Sequence, residues 1–285
     1  MRDIVDSPSK PAGAAAPVRE FPFTQDDFVR VRNLIYEFAG ISLSPVKKEM
    51  VYSRLVRRLR ALGQGSFEKY LAYLEGNTDE IEAFVNALTT NLTAFFREPH
   101  HFEILGQQMQ MASARPFRIW CAAASTGEEA YSLAMAACEA FDSMTPPVQI
   151  LASDIDTHVL RTASEGVYPA ERVDRLNAGR LKRFFLRGSG SKQGLVRVRP
   201  ELQALLKFER INLLDSEWPI QTPFDAIFCR NVMIYFDKNT QLRLLQRFKP
   251  LLQPCGLFYA GHSESFLHAA ELFRSCGRTV YEHAR

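Results

Sequence analysis

Apolar positions in this chain repeat with two different periods. Between Phe28 and Leu88 they recur every three or four residues, whereas from Phe117 onward short apolar runs alternate with helical stretches. The first period predicts an all-helical N-terminal part; the second predicts a strand-helix alternation and a largely parallel sheet.

In the first part, Thr24 is placed to cap a helix that opens with Asp26 and Asp27, buries Phe28, Val31, Ile35 and Phe38, and stops at Gly40. A second helix follows Pro45, with Val51, Leu55, Leu59 and Leu62 on one face and Gly63 as its stop. Short helices near 66–74 and 78–88, carrying Phe67, Leu71, Ile81, Phe84 and Val85, complete a small bundle. Residues 1–20 are rich in Pro, Ala and Gly and have the composition of a disordered tail; residues 21–90 form the helical domain. Residues 91–116 are expected to link it to the second domain, with Phe95 and Phe96 buried as anchors.

The second domain, 117–285, starts with FRIWCAAASTGEEAYSL, which reads as strand, tight turn and helix. Small residues from Ala122 to Gly127 let backbone approach a ligand. Glu128 and Glu129 stand where a phosphate-binding loop carries lysine and a hydroxyl, so a phosphate is disfavoured and a part-cationic ligand suited. The same acids also complement the helix dipole, and from this stretch alone both readings stand. A strand over 148–153 ends in Asp154, at the separation where doubly wound folds take ribose hydroxyls, and Asp156 is read as the cap of a helix over 157–164. Residues 166–204 interrupt the alternation; strands over 183–187 and 195–199 around a Gly/Ser turn suggest an exposed hairpin, an insertion suited to binding a partner. Strands over 206–211 and 224–229 follow, ending in Asn212 and in Arg230-Asn231. A helix over 239–251 and strands over 256–260 and 279–283 close the fold.

Composition narrows the function classes. No apolar run approaches the roughly 20 residues of a membrane span, and the N-terminus lacks a signal-peptide core, so a cytoplasmic protein without membrane insertion is expected. A net charge of +3 implies no nucleic acid. Five cysteines without a CxxC pair and six histidines without ligand spacing give no metal site, and Cys121 and Cys229 suit small buried hydrophobes. Charge is clustered locally: Lys47, Lys48, Arg54, Arg57, Arg58 and Arg60 face only Glu49 on the second helix. That face is merely solvated or a dock for an acidic helix, with nucleic acid disfavoured because no aromatic interleaving or nucleic-acid motif accompanies it. Between Arg161 and Arg210 there are twelve Lys/Arg against five Asp/Glu, so the insertion is basic too. Arg97, next to the predicted cleft, either bridges the domains or grips a ligand carboxylate. GHSES, over Gly261 to Ser265, only superficially resembles a nucleophile elbow, and serine hydrolysis is rejected.

Five blocks in order, TTNLTAFFRE, WCAAASTGEEAYSLA, SDID, FCRNVMIYF and GLFYAGHSES, closely resemble the chemotaxis receptor-glutamate methyltransferases, the CheR family, from about Phe21 to the end. The resemblance implies an α/β fold: an S-adenosylmethionine-dependent, Rossmann-like methyltransferase sheet with an N-terminal all-helical domain and a small inserted antiparallel β-subdomain. It implies cofactor contacts from Asn91, Thr93, Arg97, Ala123, Glu129, Asp154, Asn212, Leu213, Arg230 and Asn231, and catalytic positions for Arg97 and Tyr235. Lys47, Arg54, Arg57 and Arg58 would dock the acidic methylation helices of chemoreceptors. The loop GSGSKQG is similar to those with which relatives hold a receptor's C-terminal peptide. A monomer without a metal is expected. Ala130 departs from the proline of many relatives, a change with little expected consequence near a helix start. The acceptor glutamate, ionised at neutral pH, needs no general base, so the lack of a His or Cys dyad is no objection. Two rival readings remain: a nicotinamide-dependent oxidoreductase, which shares the acid after the second strand but would want GxGxxG, and a cofactor-sensing adaptor without catalysis.

Overall fold

The computed structural model describes residues 19–112, 115–220 and 222–284; the N-terminal tail assigned from composition lies almost wholly outside them. Helices α1 (Gln25–Ala39), α2 (Lys48–Leu62), α3 (Phe67–Leu74) and α4 (Thr78–Leu88) form the bundle. Local sequence explains their limits. Thr24 and Asp27 build a reciprocal capping box, Ser66 and Asn77 cap α3 and α4, and Gly40 and Gly63 end α1 and α2 in left-handed backbone. Phe28, Val31, Ile35, Val51, Leu55, Leu59, Leu71 and Phe84 are buried together, as helical spacing requires; Ile81 packs at the margin.

Residues 91–116 are more than a linker. Helix α5 (His100–Gln110) packs on α6 (Glu128–Ala140), with Phe102, Leu105 and Met109 in the main core and His101 buried beside Phe228 and Tyr259, so it belongs to the second domain. The polar start of the segment and Pro99 hid a spacing that is helical from His101 onward.

The second domain follows with β1 (Phe117–Ala122), α6, β2 (Val148–Asp154) and α7 (Thr157–Glu165), which Asp156 caps as expected. Next come β3 (Val167–Pro169), α8 (Ala178–Phe184), β4 (Phe185–Arg187), β5 (Leu195–Val198) and α9 (Pro200–Gln203). The chain closes with β6 (Leu206–Arg210), β7 (Phe224–Cys229), α10 (Lys238–Phe248), β8 (Leu252–Tyr259), β9 (Phe273–Gly277) and β10 (Val280–His283).

Seven strands form one sheet in the order β6-β2-β1-β7-β8-β10-β9. The first five are parallel, and β10 runs antiparallel between β8 and β9. Both faces are covered: Ile119 and Cys121 point into one core cluster, Trp120 and Ala122 into the other. That accounts for the continuous apolar run of β1. Trp120 is fully buried against Trp218 and Phe248, with ring centroids 5.1 and 5.0 Å away, and its indole N–H donates to Ser153 Oγ at 2.9 Å.

The inserted segment differs from the expected hairpin. It is a three-stranded sheet, β3-β5-β4, and Arg183 and Phe184 belong to α8 rather than to a strand. Nor is it detached from the core. Phe184, Phe185, Val196 and Val198 are buried in the same cluster as β1, because Phe95 from the preceding domain boundary packs edge-on against Tyr168 and Phe185.

Candidate active site

The chain order of the sheet reverses at β1: β2 and β6 lie on one side, β7 and β8 on the other. Ligands of open parallel sheets bind outside the strand C-termini at such a point. Here the ends of β1, β2, β6 and β7 meet the helical domain around a cleft of about 530 Å³.

The β1–α6 turn is held open by backbone contacts. Ser125 N donates to Asp154 Oδ2 at 2.8 Å and Ala124 N to the Ser153 carbonyl at 2.8 Å, while Tyr168 Oη donates to the Thr126 carbonyl at 2.7 Å. Gly127 is required twice over: φ is +93°, and a Cβ there would meet Ala163 Cβ at 2.8 Å. Ala123, Ser125 and Asn231, which line the cleft, and Phe96 and Glu98, which flank its Arg97, also have positive φ. Such backbone costs free energy and persists where the surroundings enforce it.

All ten residues that the resemblance implied as cofactor contacts line this one cleft, as do Tyr235, Lys47 and Arg54. Arg57 and Arg58 do not line it. Asp154 is buried, and burial raises its carboxyl to about 6 although Asp156 N and Ser125 N donate to it. Arg97 is half-buried; its guanidinium donates only to the Leu92 carbonyl, at 3.2 Å, so among the described residues it forms no inter-domain ion pair. The Asn212 side chain is occupied: its amide donates to the Phe38 carbonyl at 3.0 Å and its oxygen accepts from Leu214 N at 3.0 Å.

The paired glutamates separate. Glu128 is wholly buried and pairs with Arg172, outside the cleft. Glu129 turns to Arg230, whose Nη1 reaches its carboxylate at 2.5 Å. Arg230 also donates to the Arg97 carbonyl at 2.6 Å and lies 3.2 Å from Glu98. Sequence reasoning passed over Glu98; only its place beside Arg97 hinted at it. Burial would raise the Glu98 carboxyl, but Arg230 and His262 outweigh that and hold it at about 2. His101, buried and beside Arg230, is lowered to about 4 and is neutral at pH 7. Glu98, His100 and His101 bring three metal-type donors within 4.8 Å of one another, a grouping that histidine spacing alone did not show. The Glu98 charge is already balanced by Arg230.

The helical domain roofs the cleft. Ser42 N donates to the Tyr235 carbonyl at 2.8 Å, Tyr36 Oη to Asp237 at 2.7 Å, and Thr89 Oγ1 to Asp156 at 3.2 Å. Gly40 makes the approach feasible, since a Cβ would meet Leu214 Cδ1 at 2.6 Å. The basic face of α2 is less free than its charge count suggests. Arg54 donates to the carbonyls of Leu88 (3.0 Å) and Thr89 (2.6 Å), which satisfies the end of α4. Arg58 forks onto buried Glu80, at 3.0 and 2.5 Å, where Tyr70 Oη also donates. Lys47 and Arg57 remain exposed.

Two family profiles cover nearly the whole described chain: CheR methyltransferase, all-alpha domain, over residues 26–89, and CheR methyltransferase, SAM binding domain, over residues 91–282. The chain belongs to the CheR methyltransferase family. It is 55% identical to chemotaxis protein methyltransferase 2 of Pseudomonas aeruginosa over 279 residues, 96% of this chain and 100% of the relative. It is 51% identical to the chemotaxis protein methyltransferase of Escherichia coli, over 89% of each. This CheR-family protein is therefore an S-adenosylmethionine-dependent chemotaxis protein methyltransferase. The cleft fits that cofactor on its own chemistry. It offers a buried acceptor at Asp154, a guanidinium at Arg97 without a carboxylate partner among the described residues, and a buried Arg230 Nε that lacks a hydrogen-bond partner. Among the described residues no helix is long and apolar enough to cross a membrane.

Proposed function

We propose that this methyltransferase esterifies glutamate side chains on the cytoplasmic helices of chemoreceptors, for sensory adaptation. One observation carries the reading: the cleft opens between the sheet ends and helix α2, with Lys47 at the helix start and Arg54 within it, and among the described residues no histidine or cysteine lines it. Chemistry without a general base suits an acceptor that is already anionic.

S-adenosylmethionine, when bound, supplies a methyl group on a positively charged sulfur. Arg97 is positioned to hold the cofactor's carboxylate, Glu129, itself aligned by Arg230, its ammonium, and Asp154 its ribose, each contact contributing roughly 1.5–3 kcal/mol. With the Asn212 amide occupied, the adenine edge falls to the backbone of Asn212 and Leu213. Tyr235 orients the incoming carboxylate by donating its O–H. The roof of α1 and α2 limits water at the reacting centre, which favours a step in which opposite charges cancel. Lys47 and Arg57 attract the acidic acceptor helix, and the three-stranded insertion offers outer strands β3 and β4 to a receptor's C-terminal peptide.

The test is transfer of radiolabelled methyl from S-adenosylmethionine to purified receptor fragments. Base-labile label on the fragment is expected. Cofactor binding without any transfer favours an adaptor, and tight NAD binding without S-adenosylmethionine binding favours an oxidoreductase.

A further inference from the structure

Methyl transfer as described leaves the Gly261–Ser265 segment without a part. Its geometry gives it one. Glu264 is 4% exposed, and its Oε2 accepts from Asn231 N at 3.0 Å and from Gly261 N at 2.5 Å. Asn231 sits at φ +58°, in the left-handed region that few residues other than glycine adopt and that asparagine tolerates better than most. A Cβ at Gly261 would lie 2.9 Å from Asn231 N, so only glycine lets the two loops approach this closely. On its other side, His262 donates from its backbone N (3.3 Å) and approaches with Nδ1 (3.0 Å) the Glu98 carboxylate, which in turn faces Arg230.

We infer that Glu264 is a positioning residue for methyl transfer: with Gly261 it clamps the Arg230–Tyr235 loop in the left-handed turn that presents Arg230, Asn231 and Tyr235 to the cleft. A buried carboxylate is costly unless donors surround it. Here one donor is the Asn231 N–H of the functional loop and the other the Gly261 N–H of the segment packed on it, both on Oε2, so one carboxylate oxygen ties the two loops together. A buried carboxylate serving the core alone would contact elements remote from the cleft. The inference rests on the cleft reading, and its primary readout is cofactor binding, which needs no acceptor.

The experiment measures S-adenosylhomocysteine affinity by calorimetry for the wild type, Glu264→Gln, Gly261→Ala and the double variant, with thermal unfolding in parallel. Wild-type binding secures the cleft reading; its absence would defeat that reading rather than the clamp. Glutamine keeps the shape and can still offer one oxygen to both N–H donors but loses the charge that strengthens those bonds, so affinity is expected to fall several-fold with a near-wild-type Tm. Both single changes act through Asn231, so their effects on affinity are expected to be less than additive. Unchanged affinity in Glu264→Gln, or fully additive losses, overturns the clamp. Where a variant does not fold, amide hydrogen exchange on the wild type decides. S-adenosylhomocysteine should slow exchange at Asn231 and Gly261, and unaltered exchange there overturns the inference.

Discussion

The strand ends and the basic helix α2 were both marked by charge, yet they resolve oppositely. At the strand ends, Arg97, Glu129, Asp154 and Arg230 converge from two loops, the end of β2 and the start of α6 on one cleft. On and just before α2 the charges diverge: Arg54 serves the end of α4, Arg58 serves buried Glu80, and Arg57 and Lys47, the residue preceding the helix, face solvent. Charge near a strand terminus is informative because the sheet's topology fixes where it points. Charge along a helix says little until each cation's partner is known.

The contrast is broken most forcefully at Arg230. Arg230→Ala leaves Glu129 and Glu98 facing each other without their cation and should cost about 3–5 kcal/mol of stability by urea unfolding; a loss below about 1 kcal/mol would show that the network is not structural. Asp154→Ala should weaken S-adenosylhomocysteine binding roughly tenfold or more while the Tm stays near that of the wild type; unchanged affinity would remove the ribose role.

The pH dependence of Asp154 sharpens the same point. Burial holds its folded-state value at about 6, above the ordinary 3.8. A raised carboxyl favours the protonated folded chain, so its contribution to stability is complete below the unfolded value and is lost as pH rises through about 6. A ligand that hydrogen-bonds the carboxylate acts the other way. Affinity for S-adenosylhomocysteine should therefore rise between pH 5 and 7 by a step that Asp154→Asn lacks. The same step in the variant would assign the titration elsewhere.

The smallest effects separate the two kinds of α2 cation. Arg58→Ala should cost about 1–3 kcal/mol of stability, discounted because the arginine is 30% exposed, and leave cofactor affinity intact. Arg57→Ala should change stability by less than about 0.5 kcal/mol yet slow methylation of receptor fragments several-fold in a salt-dependent manner. Equal behaviour of the two would erase the distinction.

Much of the fold was legible because local and tertiary demands agree. Caps at Thr24, Ser66, Asn77 and Asp156 and stops at Gly40 and Gly63 mark helix ends by backbone chemistry that needs no distant partner. Strands β1 and β7, buried on both faces, announce themselves by the apolar runs Ile119–Ala122 and Ala226–Cys229. Where tertiary packing decided, the pattern misled. The strand read over 183–187 starts two residues late: Arg183 and Phe184 close helix α8 and only Phe185–Arg187 form β4, with Phe184 and Phe185 packed into the main core. Strand β9 is exposed over Arg274–Gly277 and shows no alternation; it exists because β10 pairs with it. The candidate site was legible through ordered motifs, but the partners were not. Nothing in the sequence tells that Glu264 meets Asn231, 33 residues away, or that Glu98 meets His262, 164 residues away.

The central claim is that an outside glutamate reaches a methyl group held at the strand ends. Mass spectrometry of receptor fragments incubated with enzyme and S-adenosylmethionine tests it most directly. Methyl esters on glutamate side chains, absent when the enzyme carries Asp154→Ala, are the predicted result; modification of any other residue type, or none despite saturating cofactor binding, would contradict it.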